Sequence, residues 1–160
     1  DRLRSRGLGD VYKRQLEDNG IKATAAAAPL AADYDRATAM DMISPLLKTT
    51  KYDCIISNND AMALGAVEAM QQQGLDPKSV PIVGIDATAD GRQAIKDGTL
   101  AMTVFQNAEG QGRASLQAAA NLIDGKPIAE GTGYEVDDEN EFIIWVPFEP
   151  VTIDNVADYD

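Results

Sequence analysis

The sequence contains no histidine and a single cysteine, Cys54. Histidine is the side chain whose ordinary pKa lies nearest neutral pH and is also the commonest zinc ligand, so its absence removes the usual acid–base group and the usual metal ligand. One cysteine cannot form an intramolecular disulfide or a thiolate cluster, and Cys54 lies within an apolar run. These absences disfavour most classes of enzyme.

Basic residues and long apolar runs are also scarce. The chain of 160 residues has 14 Lys and Arg against 26 Asp and Glu, a formal net charge of −12. Nucleic acids and anionic membranes attract basic surfaces, so this balance disfavours both as partners and fits a neutral or cationic ligand better. The longest apolar run, 142–146, is far shorter than the roughly 18 residues that a membrane-spanning helix needs. A chain of this length can bury a core as one domain.

The first fifteen residues, DRLRSRGLGDVYKRQ, differ in composition from the rest. They hold five of the fourteen basic residues and show neither helical nor strand periodicity. Their sequence resembles leaders seen on unrelated proteins, so we predict that residues 1–15 are a non-native leader and leave them out of the fold prediction. The alternative is a native basic arm. A secretory signal is not predicted, because this segment has no apolar core.

From Leu16 onward, strand-like and helix-like segments alternate along the chain. Glycines at positions 20, 74, 98 and 125 follow predicted helices, at the place where a residue often takes a positive φ. Alternation at this interval predicts an α/β fold, a parallel sheet with flanking helices. The predicted strands are 21–28, 52–57, 80–86, 100–106 and 141–148, and the predicted helices are 36–48, 61–73, 89–97 and 108–124.

Polar residues follow three of the predicted strands. In an open parallel sheet the ligand crevice lies beyond the carboxyl ends of the strands. The triplet Asn58, Asn59 and Asp60 ends one strand, and we expect Asp60 to cap the next helix and Asn59 to face the ligand. Asp86 ends the next strand, where its carboxylate can accept from two ligand hydroxyls, and the amide Gln106 ends the third. The alternative is that these residues only cap helices and shape turns.

Aromatic and acidic residues elsewhere are less specific. Tyr34, in the loop before a predicted helix, can stack on the C–H face of a sugar ring, or it can merely pack with its hydroxyl in water. Phe142 and Trp145, inside the last predicted strand, are expected in the core or at an interface between lobes. The acidic turn 137–141 lacks the ligand pattern of a calcium loop, and no phosphate-binding glycine motif occurs.

Four stretches of the sequence resemble one protein family: NNDAMALGAVEAM, VPIVGIDA, LAMTVFQNAEGQG and VPFEPVTIDNVADY. They are similar to the periplasmic galactose/glucose-binding proteins and their ribose-binding relatives, over nearly all of residues 16–160. The resemblance implies a type I periplasmic-binding-protein-like fold, whose two lobes close on a galactose-like or glucose-like monosaccharide and deliver it to the membrane permease of an ABC importer. A chemoreceptor is a second partner in some members. The resemblance also implies a periplasmic or lipid-anchored extracellular location, with no catalysis, cofactor or nucleic-acid partner.

The same resemblance implies roles for particular residues. Asn59 matches an asparagine that holds sugar hydroxyls, and Asp86 matches an aspartate that accepts from two of them. Gln106 falls where ribose-binding members have glutamine and galactose-binding members have asparagine, which leaves the sugar open. Tyr34 falls at a stacking tryptophan of the galactose-binding members. Asp53 matches a glutamate that helps to hold calcium in those members, but their main calcium loop would lie upstream, so we expect no metal here.

Members of this family are much longer than the present chain, so the resemblance implies a fragment. Residues 16–107 would form the C-terminal lobe, 108–145 would belong to the otherwise missing N-terminal lobe, and 146–160 would return to the C-terminal lobe. The rival interpretation is the effector-binding domain of a lactose-repressor-like transcription regulator, which shares the fold and needs a helix-turn-helix upstream. The closing residues favour the transport protein. An enzyme that uses Asp86 as a phospho-acceptor is a more distant alternative, because no set of magnesium ligands accompanies it.

Overall fold

The computed structural model describes residues 16–159, which form an α/β structure. The predicted non-native leader, residues 1–15, lies outside the described residues, and its foreign origin stays a prediction. The strands are β1 (Ile55–Ile56), β2 (Ile82–Val83), β3 (Thr103–Gln106), β4 (Glu135–Val136), β5 (Ile144–Trp145) and β6 (Phe148–Val151). The helices are α1 (Arg36–Ile43), α2 (Asp60–Gln72), α3 (Ala89–Lys96) and α4 (Ala108–Ile123), with 3-10 turns at Pro77–Ser79 and Val156–Tyr159. Residues 16–18 are also helical.

The central sheet follows the spatial order β1, β2, β3, β6. Strands β1 and β2 are parallel, with Ile55 opposite Ile82. A parallel bridge between Asp86 and Phe105 continues the pairing from β2 to β3, and β6 adds to β3 in the antiparallel direction. Both helices that follow β1 and β2 return the chain to the start of the next parallel strand. The predicted fold class is therefore confirmed, with one antiparallel strand at the edge of an otherwise parallel sheet.

The core lies between this sheet and helices α2 and α3. Helix α2 is apolar on most of its surface because it packs against α1, α3 and the sheet at once. Glycine at position 74 ends it with a φ of 71°, and glycine at position 98 ends α3 with a φ of 76°, as the sequence predicts. The largest apolar side chains that are fully buried are Met70, Ile82, Ile95, Leu100 and Val151.

Of the two predicted elements before β1, the strand is wrong and the helix is shorter than predicted. Residues 21–28 form no strand and are mostly exposed, because their alanines bury little apolar area and no strand within residues 16–159 pairs with them. Helix α1 ends at Ile43 and does not reach residue 48. Pro45 has no N–H to donate to the carbonyl of Asp41, so the chain continues in turns, such as the bond from Thr49 N to Leu46 O at 3.2 Å.

Strand β1 is shorter and less buried than the predicted strand 52–57. Cys54, expected inside an apolar run, is exposed, and Ile56 is 44% exposed. Within the described part of the chain, β1 pairs only with β2, so its other edge and part of one face have no covering element. The apolar residues of this stretch do form a strand, but a strand is fully buried only where other elements cover both of its faces.

Of the predicted strand 141–148, only Ile144–Trp145 and Phe148 lie in strands. Ile144–Trp145 is β5, which pairs with β4 in a separate antiparallel hairpin, and Phe148 begins β6, which pairs with β3 in the central sheet. Phe142 and Trp145 are 68% and 58% exposed, so neither is a core residue of the described structure; a position between two lobes stays a prediction. The assignment of 16–107, 108–145 and 146–160 to two lobes likewise stays a prediction. No helix within residues 16–159 combines the length and apolar character needed to cross a membrane.

Candidate ligand-binding site

The structure gives the capping role predicted for Asp60 to Asn59. Asn59 is the N-cap of α2, with extended backbone, and its Oδ1 accepts from the backbone N–H of Met62 at 2.9 Å. Asp60 is the first residue inside the helix and is fully buried, so its predicted capping role is wrong. Either side chain can cap a helix, and the register of α2 on the sheet decides which one does. Because the Asn59 oxygen is engaged by the cap, its amide nitrogen is the group that can face a ligand.

The buried carboxylate of Asp60 accepts three hydrogen bonds. Its Oδ2 accepts from the backbone N–H of Thr88 at 2.8 Å and from the Thr88 hydroxyl at 3.1 Å, and its Oδ1 accepts from the Thr103 hydroxyl at 2.6 Å. Glycines make room for this carboxylate, because a Cβ at Gly84 or Gly91 would collide with its oxygens. Charge-assisted hydrogen bonds of this kind offset the cost of burying a carboxylate.

Asp86 and Gln106 are in direct contact at the carboxyl edge of the sheet. The Gln106 Nε2 donates to Asp86 Oδ1 at 3.0 Å. Asp86 has a φ of 114°, in the left-handed half of conformational space that non-glycine residues seldom adopt. Burial raises the pKa of the Asp86 carboxyl above its ordinary value, and the negative charge of Asp60 raises it further. The adjoining turn also meets the start of α2, where Asp60 N donates to Ile85 O at 2.7 Å.

The structure therefore places three of the four predicted site residues at one edge, Asn59, Asp86 and Gln106. Within residues 16–159, no hydrogen bond joins Tyr34 to them; it is 72% exposed, with a φ of 64°. Two residues later, Arg36 forms ion pairs with Glu68 of α2 and, at 3.4 Å, with Asp90 in the first turn of α3.

The residues considered for calcium do not form a cluster. Asp53 is exposed, and residues 16–159 contain no group of three or more acidic or cysteine side chains placed to share a metal ion. In the acidic turn, Asp137 is engaged locally, since its Oδ2 accepts from the Trp145 indole N–H at 2.8 Å and its Oδ1 from Glu139 N at 3.0 Å. The bond from Trp145 is the largest cause of the lowered pKa of Asp137.

Sequence reasoning missed the two threonines that bind Asp60. Thr88 caps α3, with its hydroxyl accepting from Gly91 N at 3.0 Å. Thr103 is fully buried within β3. A hydroxyl between apolar neighbours, Met102 and Val104, was the available signal, because a buried hydroxyl needs a partner.

An α/β lobe whose parallel strands end in polar side chains at one edge is the architecture of a ligand-binding lobe. Residues 1–127 match the family model described as a periplasmic binding protein domain, and the chain belongs to this family. The match extends over residues 1–15, the segment that the sequence analysis sets aside as a leader.

Relatives named for sugar binding and for transport are similar to the chain. The D-galactose/methyl-galactoside binding periplasmic protein of Haemophilus influenzae is 40% identical over 129 residues, 79% of this chain and 37% of that protein. The putative rhizopine-binding protein of Rhizobium meliloti is 34% identical over 159 residues, 99% of this chain and 46% of that protein. An ABC transporter solute binding protein from Bacillus halodurans, solved with bound myo-inositol, superposes with a TM-score of 0.62 at 36% identity, over 80% of this chain and 40% of that one. The chain thus spans less than half the length of these relatives.

Proposed function

We propose that the chain is part of the substrate-binding component of a sugar ABC importer. In this proposal it supplies half of a site for a monosaccharide of the galactose or glucose type, held between two lobes. Asn59, Asp86 and Gln106 bind ring hydroxyls, and Tyr34 stacks on the ring. The membrane permease is the partner that receives the sugar, and a chemoreceptor is a second partner. The chain acts in the periplasm, or outside the cell on a lipid anchor, and catalyses no reaction.

The observation that carries this proposal is the pair formed by Asp86 and Gln106. The bond from Gln106 engages only Oδ1 of the carboxylate, and no hydrogen bond from residues 16–159 reaches Oδ2. An oxygen of this kind can accept from a ligand hydroxyl, while the carbonyl oxygen of Gln106 offers a second acceptor beside it. Two adjacent acceptors at a sheet edge suit two adjacent hydroxyls, as a pyranose or a cyclitol presents them.

The names of the relatives support import over transcriptional regulation. The galactose-binding relative is called periplasmic, and the structure with myo-inositol is called a solute binding protein of an ABC transporter. The lactose-repressor-like interpretation has no comparable support. Galactose and myo-inositol are both rings that carry several hydroxyls, which agrees with a site made of acceptors and amides.

A half site should bind weakly. A sugar held by one lobe keeps its other face in water, so its hydroxyls gain few hydrogen bonds that water did not already provide. The cost of immobilising the sugar is nearly unchanged. We therefore expect a dissociation constant of about 1 mM or weaker for the present chain, equivalent to about −4 kcal/mol or less favourable.

Ligand-observed NMR tests this proposal directly. Saturation transfer from the chain to galactose, glucose, ribose and myo-inositol should give a signal for at least one sugar, and Asp86→Ala should abolish it. Gly112→Ala is the matched control, because a Cβ at Gly112 meets no atom within 4 Å and the substitution should leave the signal intact. The absence of a signal for all four sugars would overturn the assignment of the site. Micromolar affinity from a monomer would overturn the half-site account.

The upstream reading frame provides a test that needs no protein. A secretory or lipoprotein signal followed by the remainder of a sugar-binding receptor is the expected result. A basic helix-turn-helix segment in that position would instead establish the regulator.

A further inference from the structure

We propose that Asp60 is a positioning residue for the candidate site, acting through Thr103 to hold the turn that carries Asp86 against the strand that carries Gln106. The biological meaning of this inference rests on the proposed function. The hydrogen bonds from which it is argued all join residues within 16–159. Asp60 itself is fully buried and presents no atom to a ligand.

The turn after β2 has a conformation that needs support. Asp86 and Ala87 have consecutive positive φ angles, 114° and 51°, although neither is glycine. Such angles are sterically unfavourable for residues with a Cβ and persist only where surrounding contacts fix them. The orientation of the Asp86 carboxylate therefore depends on whatever holds residues 86–88 in place.

Asp60 and Thr103 provide that support through one chain of hydrogen bonds. The Thr103 hydroxyl accepts from the backbone N–H of Ala87 at 3.2 Å and donates to Asp60 Oδ1 at 2.6 Å. The other oxygen of Asp60 accepts from Thr88 N at 2.8 Å. The backbone N–H of Thr88 thus binds the buried Asp60 carboxylate directly, and the backbone N–H of Ala87 is linked to it through the Thr103 hydroxyl. A carboxylate is suited to this position because it only accepts.

Thr103 also connects the turn to the second half of the site. It is the first residue of β3, and Gln106 is the last residue of the same strand. A shift of the turn relative to β3 would therefore change the 3.0 Å bond between Gln106 Nε2 and Asp86 Oδ1. Holding these two side chains in register is what presents two acceptors to adjacent hydroxyls.

The groups that face this turn come from each element packed on it. Asp60 lies on α2, and Thr103 and Gln106 lie on β3. From α3, the Arg92 guanidinium donates to the carbonyl of Ala87 at 2.5 Å, while Asp90 is directed to Arg36 at 3.4 Å. Arg92 thus holds the carbonyl oxygen of Ala87, the same residue whose backbone N–H is held by Thr103. Asp60 also binds Thr88, the N-cap of α3, so the turn is fixed from α2, from β3 and from α3 together.

Substitutions at Thr103 and Asp60 test the inference without any ligand. Thr103→Val keeps the shape and removes the hydroxyl, Thr103→Ser restores it, and Asp60→Asn keeps the shape and removes the charge. The readouts are the pH titration of the Asp86 carboxyl carbon and the side-chain amide resonances of Gln106, both by NMR. We expect Thr103→Val to move the Gln106 resonances and Thr103→Ser to restore them. Asp60→Asn should lower the midpoint of the Asp86 titration, because one neighbouring negative charge is lost.

A control separates positioning from a general loss of stability. Ile95→Val removes one buried methylene from α3 and should lower the thermal midpoint while leaving both readouts unchanged. If Thr103→Val does not fold, the Gln106 resonances of Asp60→Asn still decide. Unchanged Gln106 signals in Thr103→Val or, where that variant does not fold, in Asp60→Asn would overturn the inference, as would equal changes in Ile95→Val.

Sugar binding by the same variants distinguishes this inference from the proposed function. If the wild-type chain binds a sugar, Thr103→Val should weaken that binding by about fivefold, the effect expected for one misplaced hydrogen bond. If no sugar binds but the ligand-free signals move as expected, the proposed function fails and the positioning role stands. If a sugar binds and the ligand-free signals do not move, the positioning role fails alone.

Discussion

The backbone carbonyl oxygen of Arg36 lies against Gly65, so that a Cβ at residue 65 would collide with it. At this contact the backbone of α1 packs directly against the backbone of α2. Farther along the two helices, Gln73 Nε2 donates to Ser44 O at 2.6 Å, so α1 and α2 run parallel in close contact. Tyr34 lies on the segment that leads into α1, so the position of α1 also fixes where that residue enters the fold.

Gly65→Ala should destabilise the lobe. The new methyl group must displace the α1 backbone, and overpacking of this kind costs about 1–3 kcal/mol. Thermal unfolding measures the effect. Gly112→Ala, in the exposed middle of α4, is the control and should be neutral or stabilising by up to about 1 kcal/mol, because its Cβ meets open space. Equal midpoints for the two variants would contradict the close approach of α1 and α2.

The raised pKa of Asp86 predicts a specific pH dependence of stability. A carboxyl with a higher pKa in the folded than in the unfolded state binds its proton more tightly when folded. Its contribution to stability is therefore complete below the unfolded-state pKa and is lost as the pH rises through the folded-state pKa. Asp86→Asn keeps an acceptor for Gln106 but cannot ionise, so its thermal midpoint should gain on the wild type as the pH rises from about 3 to about 7.

Gly112→Ala provides the control for that experiment. It changes no ionisable group and its Cβ meets no atom within 4 Å, so it should show no comparable gain over the same pH range. A constant difference between Asp86→Asn and the wild type across this range would exclude a raised pKa at Asp86.

Trp145 reports on the ionisation of Asp137. It is the only tryptophan in the sequence, and its indole N–H donates to Asp137 Oδ2 at 2.8 Å. Because this bond lowers the pKa of Asp137, the tryptophan fluorescence should change with a midpoint below the ordinary aspartate value of about 3.9. In Asp137→Asn this transition should disappear. A transition that persists in this variant would assign the fluorescence change to another group or to unfolding.

Helix α4 should promote self-association of the isolated chain. Leu116 and Ile123 are 76% and 87% exposed, and the alanines at 119 and 120 between them are also exposed. An apolar stripe of this kind favours association in water. Sedimentation velocity should show dimers or larger species that increase with concentration, and the double substitution Leu116→Gln and Ile123→Gln should shift the chain toward monomer. A wild-type chain that stays monomeric at all concentrations would contradict this prediction.

The sequence alone determined the elements that depend on local chemistry. Glycines at 74 and 98 end helices because only a residue without a Cβ takes a positive φ without cost. Alternating helical and strand patterns predicted an α/β fold, and the polar residues after the strands indicated the edge where Asp86 and Gln106 meet. The four quoted stretches were sufficient to indicate the family.

Only the tertiary structure decided which polar residue caps the helix and which one is buried. Asn59 and Asp60 can both cap a helix, and no local pattern separates them; the register of α2 on the sheet turns Asp60 inward to Thr88 and Thr103, which lie far away in sequence. The same holds for burial, since Ile56 and Trp145 have core-like patterns but remain exposed where no element covers them. Local sequence fixes backbone preference and polarity, whereas hydrogen-bond partners and burial depend on what distant segments bring to the same place.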